Sequence, residues 1–189
     1  MRDSASVSFS ESLAGSVLLA HPVLQEKTFR RTAILMSRHD REGAMGVVLN
    51  RPMNRKLADF GADFALGPLA HVPVFDGGPV ERQQIILCAW RPHVDDESEG
   101  VQLLFGLDHE KAIELAGQDG VQLRAFLGYA GWTSGQLEGE LARETWVVAN
   151  LDPGFIEHAP DESLWRRVLG SINARWRLLA GEPDDPQLN

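Results

Sequence analysis

Two apolar runs, TAILMS at residues 32–37 and AMGVVLN at residues 44–50, are joined by only six residues, RHDREG. A parallel pair needs a crossover of roughly a dozen residues or more, so a link this short forces the two runs into an antiparallel hairpin. The front half of the chain continues in the same way. SVLLA (Ser16–Ala20) precedes the pair and stops at His21-Pro22, because the residue before a proline is held extended or in a turn. Arg51-Pro52 ends the third run, and RKLADFGA after it reads as a short helix or turn. VPVF at 72–75 and QIILCAW at 84–90 read as strands on either side of DGGPVERQ, and VQLLF follows at 101–105.

Helices enter mainly in the second half. Asp108 is placed to cap HEKAIELAG, whose Ala112, Ile113 and Ala116 share a face and whose Gly117 suits the C-terminal cap. VQLRAFLGY at 121–129 and TWVVA at 145–149 read as strands around a helix that starts near Thr133. The final segment carries Leu164, Trp165, Val168, Leu169, Ile172 and Trp176 at the spacing of one apolar helix face, with Asp161 and Glu162 at its start and Gly181 at its end. Strands first, with helices later, predict a single α+β domain with a mixed, mostly antiparallel sheet over a regularly wound α/β fold.

The domain is expected over residues 13–180, with Ser-rich residues 1–12 and the terminal residues 181–189 as mobile tails. A chain of 189 residues with 43% apolar side chains fills one core. With 27 acidic against 18 basic side chains its formal charge is −9, which lacks the basic footprint that supplies most nonspecific nucleic-acid affinity and argues against duplex DNA as a direct partner. The lone Cys88 forms no intrachain disulfide and suits a reducing compartment. No apolar stretch reaches a membrane span of roughly 18–20 residues, and the polar N-terminus has no signal-peptide core, so the expected location is cytoplasmic.

The stretch LGYAGWTSGQLEGEL, residues 127–141, crowds glycines and aromatics between a strand and a helix. Thr133 with Gln136 is a capping-box pattern, and Leu137 and Leu141 give the helix an inward face. Gly128 and Gly131 fall in the turn out of the strand, while Gly135 and Gly139 leave one helix face without side chains, open to close approach by another backbone, a ring or a ligand.

Together with GAMGVVLNRP (43–52), FDGGPV (75–80) and LWRRVLG (164–170), this stretch resembles the YqgE/AlgH family of bacterial proteins, in order over roughly residues 12–175. The resemblance implies an α+β fold with a barrel-like β core flanked by helices. It implies no established biochemical activity, although some members carry a regulator label linked to alginate production. Two positions depart from the family pattern. Cys88 stands where a histidine is expected, so an imidazole role there does not transfer, and Gly139 stands where the family has a larger polar residue.

Gly131-Trp132-Thr133-Ser134-Gly135 also fits the setting of a hydrolase elbow, with Thr133 or Ser134 as nucleophile and a distant histidine such as His158 as base. Capping gives Thr133 a structural role instead. The histidines (His21, His39, His71, His93, His109 and His158) show no metal-ligand spacing, and Asp95, Asp96, Glu97 and Glu99 form a solvated acidic loop. No cofactor or metal is expected.

Gly77-Gly78 before Pro79 is either a turn or a nest of N–H groups for an anion. If Arg51, that turn and the start of the Thr133 helix converge, they form an anion-receptive cleft. Cys88 within IILCAW reads as a buried apolar side chain rather than a redox sensor. The favoured reading is a non-catalytic binding or regulatory module for a small ligand or a protein partner, with its site near Asn50, Arg51, Gly77, Gly78, Tyr129, Trp132 and Gln136. A hydrolase and an indirect regulator of transcription are the rivals.

Overall fold

A computed structural model describes residues 12–92, 101–150 and 161–181. Among the described residues nine strands form one mixed sheet: β1 Ser16–Ala20, β2 Ala33–Asp40, β3 Gly43–Val48, β4 Pro52–Lys56, β5 Pro73–Asp76, β6 Val80–Pro92, β7 Val101–Leu107, β8 Gln122–Thr133 and β9 Trp146–Asn150. The described helices are α1 His109–Ala116, α2 Gln136–Ala142, α3 Leu164–Ile172 and α4 Ala174–Gly181. None of them is long and apolar enough to cross a membrane. The expected mobile tails fall outside the described residues except for Ser12, whose hydroxyl donates to the His39 carbonyl, and Gly181, which ends α4.

The hairpin forced by RHDREG is present, β2 pairing β3 antiparallel from Ile34↔Val48 to Asp40↔Gly43. Strand order runs β4-β5-β8-β3-β2-β1-β9, with β6 on the other side of β8 and β7 beyond it. Among the described residues the path ends on β4, β9 and β7, so the sheet is open rather than barrel-like. Its long strand β8 is the hub. One of its sides pairs with β6, while the other pairs first with β5 in parallel at Ala125–Leu127 and then with β3 antiparallel at Ala130–Thr133.

The change of partner is made at Gly77. Its N–H donates to the Leu127 carbonyl and its carbonyl accepts from the Val48 N–H, so one residue is bonded to both β8 and the end of β3. The strand backbones pass so closely here that a Cβ on Gly77 would stand 2.3 Å from the Gly128 carbonyl oxygen, and one on Gly78 would stand 2.2 Å from the Tyr129 carbonyl carbon.

Both faces of the sheet are covered, which explains runs such as SVLLA that are apolar throughout instead of alternating. Val17, Leu19, Leu35, Val47, Phe75, Trp90 and Phe126 pack on one face against Leu164, Trp165, Val168 and Leu169 of α3. Leu18, Ala20, Ile34, Met36 and Val48 point to the other, against Trp132, Leu137 of α2 and Trp146. A third cluster, including Leu57, Val74 and Ala125, lies under Ala112 of α1.

Three local expectations change. β4 was not foreseen, because it opens on a proline and continues MNRK, a polar edge segment without strand patterning. The final helix is two helices. Asn173 is extended between them, and its side-chain oxygen accepts from the Trp176 N–H, so it caps a new helix instead of continuing the old one. β8 runs to Thr133 instead of Tyr129, because its last residues still pair with β3.

Candidate functional site

Past the end of β8, the segment after His21-Pro22 folds back beside α2 and the start of β9. The cleft between them has a volume of about 240 Å³ and is lined by Leu24, Glu26, Phe29, Trp132, Gln136, Glu140 and Trp146, among others. Its walls are aromatic. Trp146 meets Trp132 edge-on at 5.9 Å between ring centroids and Phe29 edge-on at 5.7 Å.

The centre of the cleft's polar chemistry is Glu140, half-buried on α2. Its Oε2 accepts from the indole N–H of Trp132 at 2.8 Å and from that of Trp146 at 2.7 Å. Its Oε1 accepts from Gln136 Nε2 at 3.0 Å, one helical turn away. Gln136 is fixed in turn, because its Oε1 accepts from the Thr133 N–H at 3.1 Å and the Thr133 hydroxyl at 3.2 Å. Two strands, β8 and β9, and the helix α2 therefore hold one carboxylate in place. At the rim, Glu26 accepts from the N–H groups of Thr28 and Phe29. Partial burial raises its pKa, but those bonds, the Thr28 hydroxyl and the nearby Arg51 charge outweigh burial and hold it below the usual carboxylate range.

The seven residues singled out from the sequence are brought together only in part. Trp132 and Gln136 line the cleft. Arg51 borders it, donating from Nη2 to the Lys27 carbonyl at 3.2 Å beside Glu26. Asn50 is 3% exposed, and its amide accepts from the Ala33 N–H and donates to the Arg31 carbonyl, fastening the start of β2. Tyr129 packs against the main core, and Gly77 and Gly78 sit at the strand crossing.

The geometry differs from an anion-receptive cleft. The Gly77 N–H is taken by Leu127, and α2 starts at Gln136 because Thr133 is still in β8. Only half of the expected capping box forms, since the Thr133 hydroxyl donates to Gln136 instead of accepting from the helix, and the N-cap is Gly135 in the left-handed region at φ +74°. Gly135 and Gly139 make no close-packed face either. No atom lies within 4 Å of a Cβ built on Gly135, and Gly139 would meet only the Arg143 side chain at 3.9 Å. The Ser134 hydroxyl donates to the Arg41 carbonyl at 2.7 Å. His158 and the acidic loop at 95–99 lie outside the described residues.

Glu140, Trp146, Phe29 and Glu26 were not singled out from the sequence. The Gln136–Glu140 pair, at i and i+4 behind a buried tryptophan, was the available signal. Arg124, 3% exposed, was missed as well. It places its guanidinium 4.6 Å from the Trp90 ring centroid, and burial brings its pKa down to about 10 against the opposing influence of Cys88. Cys88 is fully buried, as expected. Burial pushes its thiol up to about 12 despite a backbone hydrogen bond from Gly106 and the Arg124 charge, so it is a poor nucleophile. Among the described residues no three His, Cys, Asp or Glu side chains gather as metal ligands.

A sequence profile for a family described as AlgH-like matches residues 17–177. A UPF0301 protein of Streptomyces avermitilis is 39% identical over 187 residues, covering 94% of this chain and 96% of the relative. Another from Mycobacterium tuberculosis is 36% identical over 185 residues, covering 93% and 90%. The solution structure of the AlgH protein from Pseudomonas aeruginosa superposes with a TM-score of 0.67 at 25% identity, covering 98% of this chain and 100% of that one.

Proposed function

The chain belongs to the AlgH-like family, and on that premise we propose that it is a non-catalytic binding module whose site is the cleft between Trp132, Trp146 and Glu140. The observation that carries this reading is the investment of two indole N–H groups and one side-chain amide in positioning a single carboxylate at an aromatic opening. Core packing alone needs no such arrangement, since a buried indole needs only one partner for its N–H and a backbone carbonyl suffices. A recess smaller than the roughly 300 Å³ of typical drug-sized pockets suits a metabolite-sized ligand. The hydroxyls of Thr133 and Ser134, the residues a hydrolase would use, donate to the Gln136 side chain and the Arg41 carbonyl, which supports binding over turnover. We place the protein in the cytoplasm, supported by its single buried thiol.

Thermal unfolding against pools of amines, sugar phosphates, nucleotides and amino acids tests the reading. A ligand present at about a hundred times its dissociation constant stabilises by about 2.7 kcal/mol, which raises Tm by roughly 5–10 °C for a chain of this size. One pool is expected to produce that shift, and Trp132→Phe, which removes an indole N–H from Glu140, is expected to reduce it. A shift that persists unchanged in both Trp132→Phe and Gln136→Ala, or no shift with any pool, contradicts the proposal.

A further inference from the structure

We infer that the cleft takes a compact organic cation, an ammonium group on a small aliphatic molecule, with Glu140 as its counter-charge. This rests on the reading of the cleft as a binding site and names the chemistry it selects.

All three donors to Glu140 are neutral: two indoles and a carboxamide. They fix the carboxylate without cancelling its charge. Among the described residues no Lys, Arg or His forms an ion pair with Glu140, whereas other acids such as Asp76 and Glu114 do have cationic partners. A carboxylate oxygen accepts about two hydrogen bonds. Oε2 is therefore filled by the two indoles, while Oε1, bonded to Gln136, keeps one acceptor position for a donor entering the cleft.

The surroundings favour the same sign of charge. Glu26 at the rim is held ionised by the bonds described above, and Arg51 beside it directs its Nη2 to a backbone carbonyl. Phe29, Trp132 and Trp146 line the recess, and aromatic rings attract ammonium groups by about 0.5–2 kcal/mol depending on exposure. An anion entering the cleft meets two carboxylates, and like-charge juxtaposition is costly.

The test uses the full chain and two probes, choline and butylammonium, each with an uncharged counterpart: the carbon isostere of choline, in which a quaternary carbon replaces nitrogen, and butanol. Indole N–H signals in 1H–15N spectra report binding. Both cations are expected to move the Trp132 and Trp146 signals saturably and to bind at least about tenfold more tightly than their neutral counterparts, equivalent to about 1.4 kcal/mol. Glu140→Gln is expected to remove that preference, so that each cation binds no more tightly than its neutral counterpart. Should that variant fail to fold, the preference in the wild-type chain is expected to shrink as ionic strength rises, since screening weakens the partly exposed charge pair. Equal affinity for charged and neutral probes overturns the cation assignment and leaves the cleft as a binding site. No movement of either signal with any of the four probes overturns both.

Discussion

Gly78→Ala is expected to destabilise the protein by about 3 kcal/mol or more, with Tm falling by roughly 6–12 °C. A Cβ at this position would lie 2.2 Å from the Tyr129 carbonyl carbon and 2.3 Å from its oxygen, both backbone atoms of the hub strand that cannot turn aside. The residue also has φ +149°, a backbone region that costs a non-glycine residue about 1–3 kcal/mol. Gly135→Ala provides the contrast. Gly135 is also left-handed, but no atom lies within 4 Å of the added carbon, so only the conformational cost of about 1–2 kcal/mol applies. If the two substitutions cost the same, close strand packing is not what glycine supplies at Gly78. An anion nest there would give a different result again, with lost binding and nearly unchanged stability.

Trp165→Ala is expected to cost about 4 kcal/mol, within the range for emptying a large aromatic site in a core. Trp165 is 1% exposed and carries α3 into the main cluster, with its indole N–H donating to the Ala20 carbonyl at 2.8 Å and the Arg31 guanidinium 5.4 Å from its ring centroid. The loss thus combines apolar area, a cavity and a buried carbonyl deprived of one donor. Urea unfolding is the check: the midpoint should fall with the slope unchanged, because the fold is retained and the surface exposed on unfolding is the same. A cost below about 1 kcal/mol would mean that α3 is not anchored by this side chain.

What could be read in advance follows from which interactions are local. The β2–β3 hairpin was legible because six intervening residues admit no other connection. The apolar stripe of α3 was legible from its helical spacing, whereas the break at Asn173 depends on one side chain preferring to cap Trp176. Trp132 and Gln136 stood out because turn residues surround them. Their partner Glu140 did not, since its role depends on Trp146 and on the fold-back of the segment holding Glu26 and Phe29, far away in sequence. The FDGGPV motif was visible, but its purpose was not. Two backbones crossing at Gly77, Gly78 and Gly128 are a long-range event, and a glycine pair reads equally well as a turn or a nest.

The most direct test of the account is 19F NMR of fluorotryptophan-labelled protein, in which the five tryptophans report separate places. Trp132 and Trp146 line the cleft on one face of the sheet, while Trp90 and Trp165 belong to the core on the other. The metabolite pool that raises Tm should move the resonances of Trp132 and Trp146 and leave those of Trp90 and Trp165 in place. Movement confined to Trp90, Trp165 or Trp176, with Trp132 and Trp146 unchanged, would place the site elsewhere and contradict the account.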